Sequence, residues 1–350
     1  MMEPARQITV TALTAGRYDP SRRFRVCQFV AQLARRGIGV TEYHPAFSKY
    51  TAAPVAQLGI LWTAAKILAR VPGLAAARVS DITWLQRELI PGRSTLERFA
   101  GRKLLFDVDD AVWMGQHGRD IERIVERSRG VIAGNEFLAD YFRGLGARVW
   151  VVPTCVDTQK WRPAASDDGS ERAEWTVGWS GTASNLKYLY AIEEPLAEFL
   201  DGRPQARLLV VSDAAPRFTK IPRPRWQFER WSPASEVRQV RQMDVGLMPL
   251  AATDWERGKC GLKMLTYMAV GAPTVVSPVG TCDEIMRQSE VGIAAATASD
   301  WYDALGRLFD DRALAARLGA AGRRLVEAQY SVRRHAVTLA GIFRQVADEE

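Results

Sequence analysis

The stretch at 259–285 reads KCGLKMLTYMAVGAPTVVSPVGTCDEI and decides the fold. Its first part predicts a short helix, because Leu262, Leu265 and Ala269 fall at i, i+3 and i+7 on one apolar face. Gly271 sits where a helix stops, and the proline two residues later forbids its continuation. The run TVV that follows predicts a short buried strand. A helix that leads into a buried strand is typical of the repeating unit of an α/β protein.

The same stretch carries groups that suit an anion. Lys259, Lys263 and Thr266 are predicted to share a second face of the helix. Gly280, after the strand, opens a turn that leads to two carboxylates. Two lysines four residues apart, beside a glycine turn at the carboxyl end of a strand, suit a diphosphate. A solvated basic face on an ordinary βα unit is the alternative, and the spacing alone leaves both interpretations open.

Composition indicates a soluble enzyme with more than one domain. The chain has 350 residues, of which 47% are hydrophobic and 25% charged, and its formal net charge is +7. Its four cysteines are scattered without a CxxC pair, which argues against a disulfide framework or a structural zinc and fits a reducing cytosol. The N-terminus passes straight into a strand-like run, so we expect no signal peptide and a cytoplasmic protein.

Partners other than small molecules are also constrained. The most apolar long stretch, at 55–74, is interrupted by charged residues and reads as an amphipathic helix half-buried in its own domain. The alternative is peripheral attachment to the inner, anionic face of a membrane, which the net charge of +7 would assist. No ladder of basic and aromatic residues and no zinc knuckle is present, so we expect no nucleic-acid partner.

Strand and helix patterns alternate along most of the chain, which predicts parallel α/β layers. The polar run at 157–174, rich in Pro, Asp, Ser and Gly, is the clearest linker. It separates a first domain at 1–156 from a second at 175–330, and a terminal helix at 331–350 is expected to cross back to the first. Two doubly wound, Rossmann-like halves predict a cleft, with ligands at the carboxyl ends of the strands.

Several blocks follow one another along the chain: LLFDVDDAVW at 104–113, VIAGNEFLADYF at 131–142, VGWSGTASNLKYL at 177–189, DVGLMPL at 244–250, the opening stretch, and LGAAGRRLVEAQYSVRRHA at 318–336. In this order they resemble family 4 of the retaining glycosyltransferases, also called group 1. That family has the GT-B fold, in which two Rossmann-like domains face a central cleft. The resemblance covers nearly the whole chain, and several blocks in the right order are more specific than any one of them.

The chain also departs from the family pattern. The family usually carries two glutamates, in a phrase like EPFGLVLLEAMAxGxP, and these positions fall on Gly258 and Thr266 here. Ribose recognition must then come from other groups, and Asp283 or Glu284, in the loop that the family writes as GGxxE, are the candidates. The chain resembles a subset of the family that has a KCxxK block and the phrase FDxDD.

The resemblance implies an NDP-sugar donor and no cofactor or metal. GT-B enzymes generally stabilise the departing diphosphate with Lys or Arg side chains and with backbone N–H groups at a helix N-terminus. Lys187 matches the family's lysine, although a surface lysine is its alternative, and Lys259 or Lys263 would add a second cation. The candidate donor-binding residues are Gly16, Ser180, Gly181, Thr182, Lys187, Lys259, Lys263, Gly280, Thr281, Asp283 and Glu284.

The acceptor is expected on the first domain. The loop AGRYDPSRR at 15–23 stands where the family has a glycine-rich acceptor loop, and Gly16 would allow close approach of a sugar. Arg22 and Arg25 are candidates for an anionic acceptor, with a solvated basic loop as the alternative. His117, in the loop after FDVDD, lies where a substrate would pass.

The string DVDD supplies the candidate catalytic carboxylates. Asp109 falls where many family members have a histidine near the donor sugar, and Asp110 follows it. A carboxylate there would bind sugar hydroxyls or steady positive charge on the anomeric carbon. The string DVD also matches the metal-binding DxD motif of the other major glycosyltransferase fold. This interpretation is rejected because the two-domain order of the chain contradicts that fold. Asp107 is equally well explained as a strand-end cap. The catalytic candidates are Asp109, Asp110, Lys187 and Lys263.

The chain is therefore expected to be a retaining, metal-independent hexosyltransferase. The acceptor would be a glycan, a lipid-linked sugar or a small metabolite, and the departing phosphate would assist attack on the same face of the sugar. Two other classes stay open: a GT-B-fold sugar-nucleotide epimerase, and a catalytically weak binding subunit that keeps the fold. A single glycine at 14–17, where GxGxxG would stand, argues against an NAD(P) enzyme.

Overall fold

The computed structural model describes residues 7–45, 59–91, 96–114, 118–164 and 174–349. The chain divides into two units, and each is described by itself. The first unit comprises Met1–Cys155, Gly258–Cys260 and Val332–Glu350, and the second comprises Val156–Arg257 and Gly261–Ser331. The chain therefore passes from one unit to the other four times.

The first unit contains a six-stranded parallel sheet. Its order is β2-β1-β3-β4-β5-β6, with the topological switch between β1 and β3. Its elements are β1 (Ile8–Leu13), α1 (Pro20–Arg25), α2 (Val30–Ala34), β2 (Ile38–Tyr43), α3 (Gly59–Leu68), α4 (Val71–Ala77), β3 (Ile82–Gln86), β4 (Leu104–Val108), α5 (Gly118–Arg127), β5 (Gly130–Ala133), α6 (Glu136–Gly144) and β6 (Val149–Val151). The last helix of the chain, α15 (Val332–Asp348), belongs to the same unit.

Both faces of the first sheet are covered. Trp84 packs in one cluster with Phe343 of α15, and their rings meet edge to face with centroids 5.2 Å apart. The neighbouring Leu85 points to the opposite face, where it packs in a second cluster with Phe106. This alternation of successive residues is the strand period of two, and burial on both faces explains why the central strands are mostly apolar.

The second unit contains another six-stranded parallel sheet, of order β12-β11-β10-β7-β8-β9. Its switch lies between β7 and β10, which is the arrangement of a dinucleotide-binding fold. Its elements are β7 (Trp175–Ser180), α7 (Leu186–Tyr190), α8 (Glu193–Asp201), β8 (Ala206–Ser212), β9 (Trp226–Arg230), α9 (Glu236–Val240), β10 (Val245–Met248), α10 (Asp254–Arg257), α11 (Leu262–Ala269), β11 (Thr274–Val276), α12 (Thr281–Gln288), β12 (Gly292–Ala294), α13 (Ala298–Asp310) and α14 (Arg312–Gln329). The predicted fold class, two Rossmann-like α/β halves, is confirmed.

The decisive helix begins later than predicted. Gly261 has φ +66°, in the left-handed region, and α11 starts only at Leu262. Lys259 therefore lies outside the helix, and the predicted face shared by Lys259 and Lys263 does not exist. This prediction was wrong because a periodic pattern cannot reveal a left-handed glycine at the start of a helix.

The first helix of the chain is short. Helix α1 begins at Pro20, behind the N-cap Asp19, whose carboxylate accepts from the Ser21 amide at 3.0 Å. A 3₁₀ turn at Cys27–Phe29 then separates α1 from α2. Within the described residues, no helix combines the length and the apolar character needed to cross a membrane.

Candidate functional site

An arginine between two carboxylates forms the carboxyl edge of the first sheet. Asp109 and Asp110 follow β4, and Arg87 follows the neighbouring β3. Arg87 Nε donates to Asp109 Oδ1 and Arg87 Nη2 donates to Asp110 Oδ2, each at 2.6 Å. Each carboxylate is largely removed from water, with side-chain exposures of 12% and 22%. The two candidate catalytic carboxylates are thus brought together and share one guanidinium.

Arg87 has an unusual backbone. Its φ is +55°, and among the described residues it is the one non-glycine residue with a positive φ. Such a conformation costs on the order of 1–2 kcal/mol for a residue with a Cβ. Its amide donates to the Asp107 carbonyl at 2.9 Å, and its side chain holds both carboxylates, so these contacts offset the strain. Sequence reasoning missed Arg87, and its position at the end of β3, beside the switch, is the signal that could have found it.

The charge state of Asp109 follows from its neighbours. Burial acts to raise the pKa of this carboxyl, but the positive charges of Arg87 and Arg25 outweigh burial and bring the pKa below its ordinary value. The group is therefore an ionised acceptor at neutral pH. An ionised carboxylate at this edge is suited to accept hydrogen bonds from sugar hydroxyls.

The Gly258–Cys260 segment belongs to the first unit, although its flanks belong to the second. Lys259 Nζ lies 3.8 Å from Asp110 Oδ1, and the Lys259 carbonyl accepts from Asn135 Nδ2 at 3.4 Å. Cys260 Sγ lies 3.3 Å from the Asp109 carbonyl oxygen. Asp109 and Asp110 form a carboxylate cluster in which Arg87 pairs with both and Lys259 lies near Asp110. Lys259 is therefore a cation of this carboxylate cluster rather than a second lysine on the face of α11.

The glycine at 258 has a steric reason. A Cβ at this position would lie 2.7 Å from Ala111 Cβ and 3.0 Å from the Ala111 amide nitrogen. Real Cβ atoms do not make such contacts, and the Ala111 backbone cannot easily yield. The position where the family carries its first glutamate therefore has no room for a side chain.

Arg25 does not reach the surface. Its side chain is 2% exposed, and Arg25 Nε and Nη2 donate to the two oxygens of Asp107 at 2.8 and 3.1 Å. Arg25 Nη1 donates to the Val152 carbonyl at 2.6 Å, and Trp84 Nε1 donates to Asp107 Oδ2 at 3.1 Å. The expectation that Arg25 contacts an acceptor is wrong. Asp107 lies within β4 as half of a buried ion pair, rather than as a strand-end cap.

The remaining acceptor candidates differ in their surroundings. Arg22 pairs with Glu42, through Nε and through Nη2 at 2.8 Å, and its side chain is 14% exposed. The Gly16 carbonyl accepts from the Asp19 amide at 3.0 Å within the loop that follows β1. This loop lies next to the topological switch of the first sheet, because β1 is one of the two strands that flank the switch. His117 lies outside the described residues.

The carboxyl end of β7 forms the corresponding edge of the second sheet, but its amides are already used. The Ser180 amide donates to the Tyr267 hydroxyl at 2.9 Å, and the Gly181 amide donates to the Val211 carbonyl at 3.0 Å. The Ala183 amide donates to Asp213 Oδ1 at 2.6 Å. Ser180 and Gly181 are donor-binding candidates from the sequence, but their amides are not available to a phosphate, because the fold uses both to fix the end of the strand.

Lys263 lies beside this edge. Its ammonium stands 5.7 Å from the centroid of the Trp179 ring. A Cβ on residue 181 would lie 2.7 Å from the Trp179 ring and 2.9 Å from Lys263 Cε. Gly181 therefore leaves the space in which the lysine and the indole approach each other, next to the switch between β7 and β10.

The other second-unit candidates lie on short helices. Lys187 of α7 is exposed, with its ammonium 4.9 Å from the Tyr188 ring. Asn185 Nδ2 donates to Thr182 Oγ1 at 2.8 Å. Thr266, where the family has its second glutamate, is buried, and its hydroxyl donates to the Lys263 carbonyl at 2.8 Å. A hydroxyl held in this way within its own helix is not presented to a ribose.

Gly280 begins α12. Its φ is +53°, and a Cβ would lie 2.7 Å from the Arg257 carbonyl oxygen, so the position requires glycine. Thr281 is buried in the first turn, where the carboxylates of Asp283 and Glu284 follow. Asp283 pairs with Arg287 at 2.5 Å, whereas Glu284 is exposed.

Metal-binding side chains do not gather in the parts of the chain that the structure describes. These residues contain no group of three or more His, Cys, Asp or Glu side chains that could hold a metal ion. In FDVDD itself, Asp107 pairs with Arg25 and Asp109 pairs with Arg87. Both carboxylates of the DxD string are therefore neutralised by protein cations.

Comparison with known proteins finds a family model for residues 176–311 and solved structures with the same fold. The family model described as "Glycosyl transferases group 1" matches residues 176–311. No curated protein matches the sequence. Among solved structures, sucrose-phosphate synthase from Thermosynechococcus elongatus superposes with a TM-score of 0.71 and 15% identity, over 97% of this chain and 99% of that one.

Two further solved structures show the same likeness. HepE from Anabaena, in complex with UDP and glucose, gives a TM-score of 0.68 and 14% identity over 97% of this chain and 100% of that one. WaaG, a glycosyltransferase involved in lipopolysaccharide biosynthesis, gives 0.67 and 13% over 95% of this chain and 99% of that one. At these identities the likeness establishes the fold. The chain therefore has the GT-B fold, and residues 176–311 match the model of the group 1 glycosyl transferases.

Proposed function

We propose that the protein transfers a hexose from an NDP-sugar to a hydroxyl acceptor, with retention of anomeric configuration and without a bound metal. The observation that carries the proposal is an overlap. The group 1 match at 176–311 contains the second-sheet edge at which Gly181, Trp179 and Lys263 meet. The similar fold of HepE, described in complex with UDP and glucose, supports a nucleotide-sugar donor.

The donor diphosphate is assigned to the second unit. When the glycosidic bond breaks, the leaving diphosphate gains negative charge, and a cation placed beside it stabilises the transition state more than the ground state. Lys263, held along Trp179, is the primary cation, and Lys187 at the end of the same βα block is the second. The start of α12 at Gly280 and Thr281 adds the partial positive charge of a helix N-terminus.

The sugar and the acceptor are assigned to the first unit. Asp109 and Asp110 both pair with Arg87, and Lys259 lies near Asp110. The two carboxylates accept hydrogen bonds from sugar hydroxyls and favour positive charge at the anomeric carbon. The acceptor oxygen attacks on the face from which the diphosphate departs. Its proton passes to a phosphate oxygen of the leaving group as the new C–O bond forms, so no enzymatic nucleophile is needed. The loop after β1, with Gly16, presents the acceptor.

Ribose recognition passes to α12. Gly258 has no side chain, and the Thr266 hydroxyl is held inside α11. Asp283 and Glu284 are the carboxylates of the first turn of α12. Both are therefore candidates for the ribose hydroxyls.

Acceptor class and location are proposed more broadly. A glycan, a lipid-linked sugar or a small metabolite fits a GT-B enzyme in the cytoplasm. Contact with the inner face of a membrane is supported by exposed apolar side chains on α3 and α4, where Leu61, Leu68 and Val71 are 67%, 69% and 50% exposed. The net charge of +7 would favour an anionic surface.

A catalytically weak binding subunit is the second candidate. The observation that favours it is the loss of both family glutamates, one to a position without space and one to an internally bonded threonine. A sugar-nucleotide epimerase would give a different product, so the same experiment distinguishes all three functions.

The test is a panel of UDP-, GDP-, ADP- and dTDP-sugars with the purified protein, scored by thermal shift and by slow donor hydrolysis. We expect one donor to stabilise the protein and to be hydrolysed at an equal rate in EDTA. Binding without hydrolysis would indicate the binding subunit, and release of an isomerised sugar would indicate the epimerase. No shift with any donor would overturn the proposal.

The phosphate assignment has its own variants. Lys263→Ala should weaken donor binding by roughly tenfold or more, since a charge-assisted hydrogen bond is worth about 1.5–3 kcal/mol. Lys187→Ala should weaken it less, because that side chain is exposed. Lys220→Ala, which removes an exposed lysine of the same unit paired with Glu194, is the control and should leave binding unchanged. The anomeric proton coupling of the product, measured by NMR, tests retention.

A further inference from the structure

A cationic cavity lies on the first unit, away from the carboxyl edge of the sheet. It has a volume of about 520 Å³ and lies at the amino-terminal ends of β3 and β4. Four cationic side chains and one carboxylate line it, together with an aromatic ring: Arg78, Arg98, Arg102, Lys103, Asp81 and Phe99.

The three arginines of this cavity differ from the arginines at the carboxyl edge of the same sheet. Among the described residues, no ion pair joins Arg78, Arg98 or Arg102 to a carboxylate, in contrast to Arg25 and Arg87 at the other end of the sheet. Their mutual repulsion is tolerated because water screens it. An anion in the cavity would remove that repulsion and would meet several N–H donors at once.

An aromatic ring holds two of these guanidiniums. Arg98 Cζ lies 4.7 Å and Arg78 Cζ 5.6 Å from the centroid of Phe99, which is 37% exposed. Cation–π contact leaves the N–H edges of a guanidinium available to a ligand, unlike a bidentate carboxylate pair. The arginines are thus partly ordered without losing their donors.

The turn that carries the cations is fixed by a glycine. Gly101 has φ +83°, and a Cβ there would lie 2.4 Å from the Ala77 carbonyl oxygen and 2.9 Å from Thr83 Oγ1. The backbone between Phe99 and Lys103 therefore packs directly against the end of α4. This contact brings Arg98 and Arg102, from one turn, next to Arg78, from another.

The remaining charged groups of the cavity are occupied. Asp81 Oδ2 accepts from the Thr9 amide and from Thr9 Oγ1, each at 2.8 Å, so the carboxylate is held by β1. Lys103 Nζ donates to the Ala347 carbonyl at 2.7 Å, near the end of α15. The lysine covers the negative end of that helix, which would otherwise repel an anion.

The cavity is separate from the proposed catalytic edge. Asp81 and Lys103 immediately precede β3 and β4, whereas Arg87 and Asp109 follow the same strands. Each strand has five residues, which span roughly 16 Å. A ligand in this cavity would therefore not occupy the carboxyl edge of the same sheet.

We propose that this cavity binds a phosphate group, as a phosphomonoester or a diphosphate. Three guanidiniums that pair with no carboxylate of the described residues suit a dianion with several acceptor oxygens better than a single carboxylate. The phosphate comes from the headgroup of an anionic lipid or from a soluble phosphorylated compound. Either source presents the same oxygens to Arg78, Arg98 and Arg102.

The experiment uses the full chain and two probes. Inorganic pyrophosphate is titrated by calorimetry, and vesicles that contain phosphatidic acid, whose headgroup is a phosphomonoester, are compared with vesicles of phosphatidylcholine by co-sedimentation. The double variant Arg98→Glu/Arg102→Glu should weaken the binding of at least one probe by roughly tenfold or more. Binding of the anionic vesicles alone identifies a lipid source, and binding of pyrophosphate without vesicles identifies a soluble one.

Two controls separate this cavity from other effects. Arg35→Glu reverses an exposed charge elsewhere on the first unit and should change neither probe's binding. Lys263→Ala should not change the part of probe binding that depends on Arg98 and Arg102. NDP-sugar binding by the double variant should persist, which would show that this variant folds. The proposal is overturned if neither probe binds, or if both bind the double variant as tightly as the wild type.

Discussion

The carboxyl edges of the two sheets are built in different ways. At the first edge, Asp107, Asp109 and Asp110 each pair with an arginine, and the positions of these charges define the site. In the second sheet, Gly181 at the carboxyl edge and Gly246 within β10 leave room for the rings of Trp179 and Tyr267, and packing defines this region. Charge-changing substitutions should therefore damage the first edge, and volume-changing ones the second sheet.

The largest effect is expected from breaking the buried ion pair. Arg25→Met leaves the Asp107 carboxylate buried without its partner, which should lower the free energy of unfolding by about 3–5 kcal/mol. Urea unfolding measures the loss. Arg22→Met, in a more exposed pair, should cost less, and Arg25→Met/Asp107→Leu should recover much of the loss. Equal losses of unfolding free energy for Arg22→Met and Arg25→Met would contradict the distinction between the buried and the more exposed ion pair.

Adding one methyl group should damage the second sheet. In Gly246→Ala the new Cβ would lie 2.2 Å from Tyr267 Cγ, so the ring must move, at a cost of about 1–3 kcal/mol. Thermal unfolding measures the change. Gly202→Ala is the matched control, because its nearest atom outside the chain neighbours would be Glu198 O at an ordinary 3.6 Å. A loss in Gly202→Ala as large as in Gly246→Ala would argue against packing as the cause.

Removing one hydroxyl tests the link between Tyr267 and β7. Tyr267→Phe keeps the ring but leaves the Ser180 amide without its acceptor, which should cost about 1 kcal/mol. Donor affinity should fall with stability, because Ser180 precedes the glycine beside Lys263. Unchanged stability together with unchanged donor affinity would show that the hydrogen bond does not fix the end of the strand.

The smallest effect concerns pH at the first edge. The pKa of Asp109 is below its ordinary value in the folded state, so its contribution to stability is present above the unfolded pKa and is lost as pH falls through the folded one. Asp109→Asn removes this contribution. The stability difference between wild type and Asp109→Asn should therefore shrink between about pH 5 and pH 2. A difference that grows on acidification would reverse the sign assigned here.

The fold was predictable because its signals are local. Alternating strands and helices, and glycines where helices stop, predicted two doubly wound halves. The left-handed Gly261 was not predictable in the same way, since the apolar period continues smoothly across it. The predicted helix was therefore too long at its N-terminal end, and Lys259 lies outside the helix.

The site was less predictable because its contacts join distant residues. Arg25 and Asp107 are 82 residues apart, and no local pattern distinguishes Arg25 from Arg22. Arg87 is placed next to Asp109 by the pairing of β3 with β4. The types of group were foreseen, namely carboxylates in DVDD and lysines in KCGLK, whereas their partners depend on sheet order.

Cys260 can report how firmly residues 258–260 are packed against the first unit. Its Sγ packs where a Cβ on Gly134 would lie only 2.4 Å away, and it is 7% exposed. Burial, together with the negative charge of Asp109, raises the pKa of the thiol, so the packed segment is inert to alkylation at neutral pH. In a variant that keeps Cys260 as its single cysteine, the alkylation rate would measure how often residues 258–260 leave the carboxylate cluster.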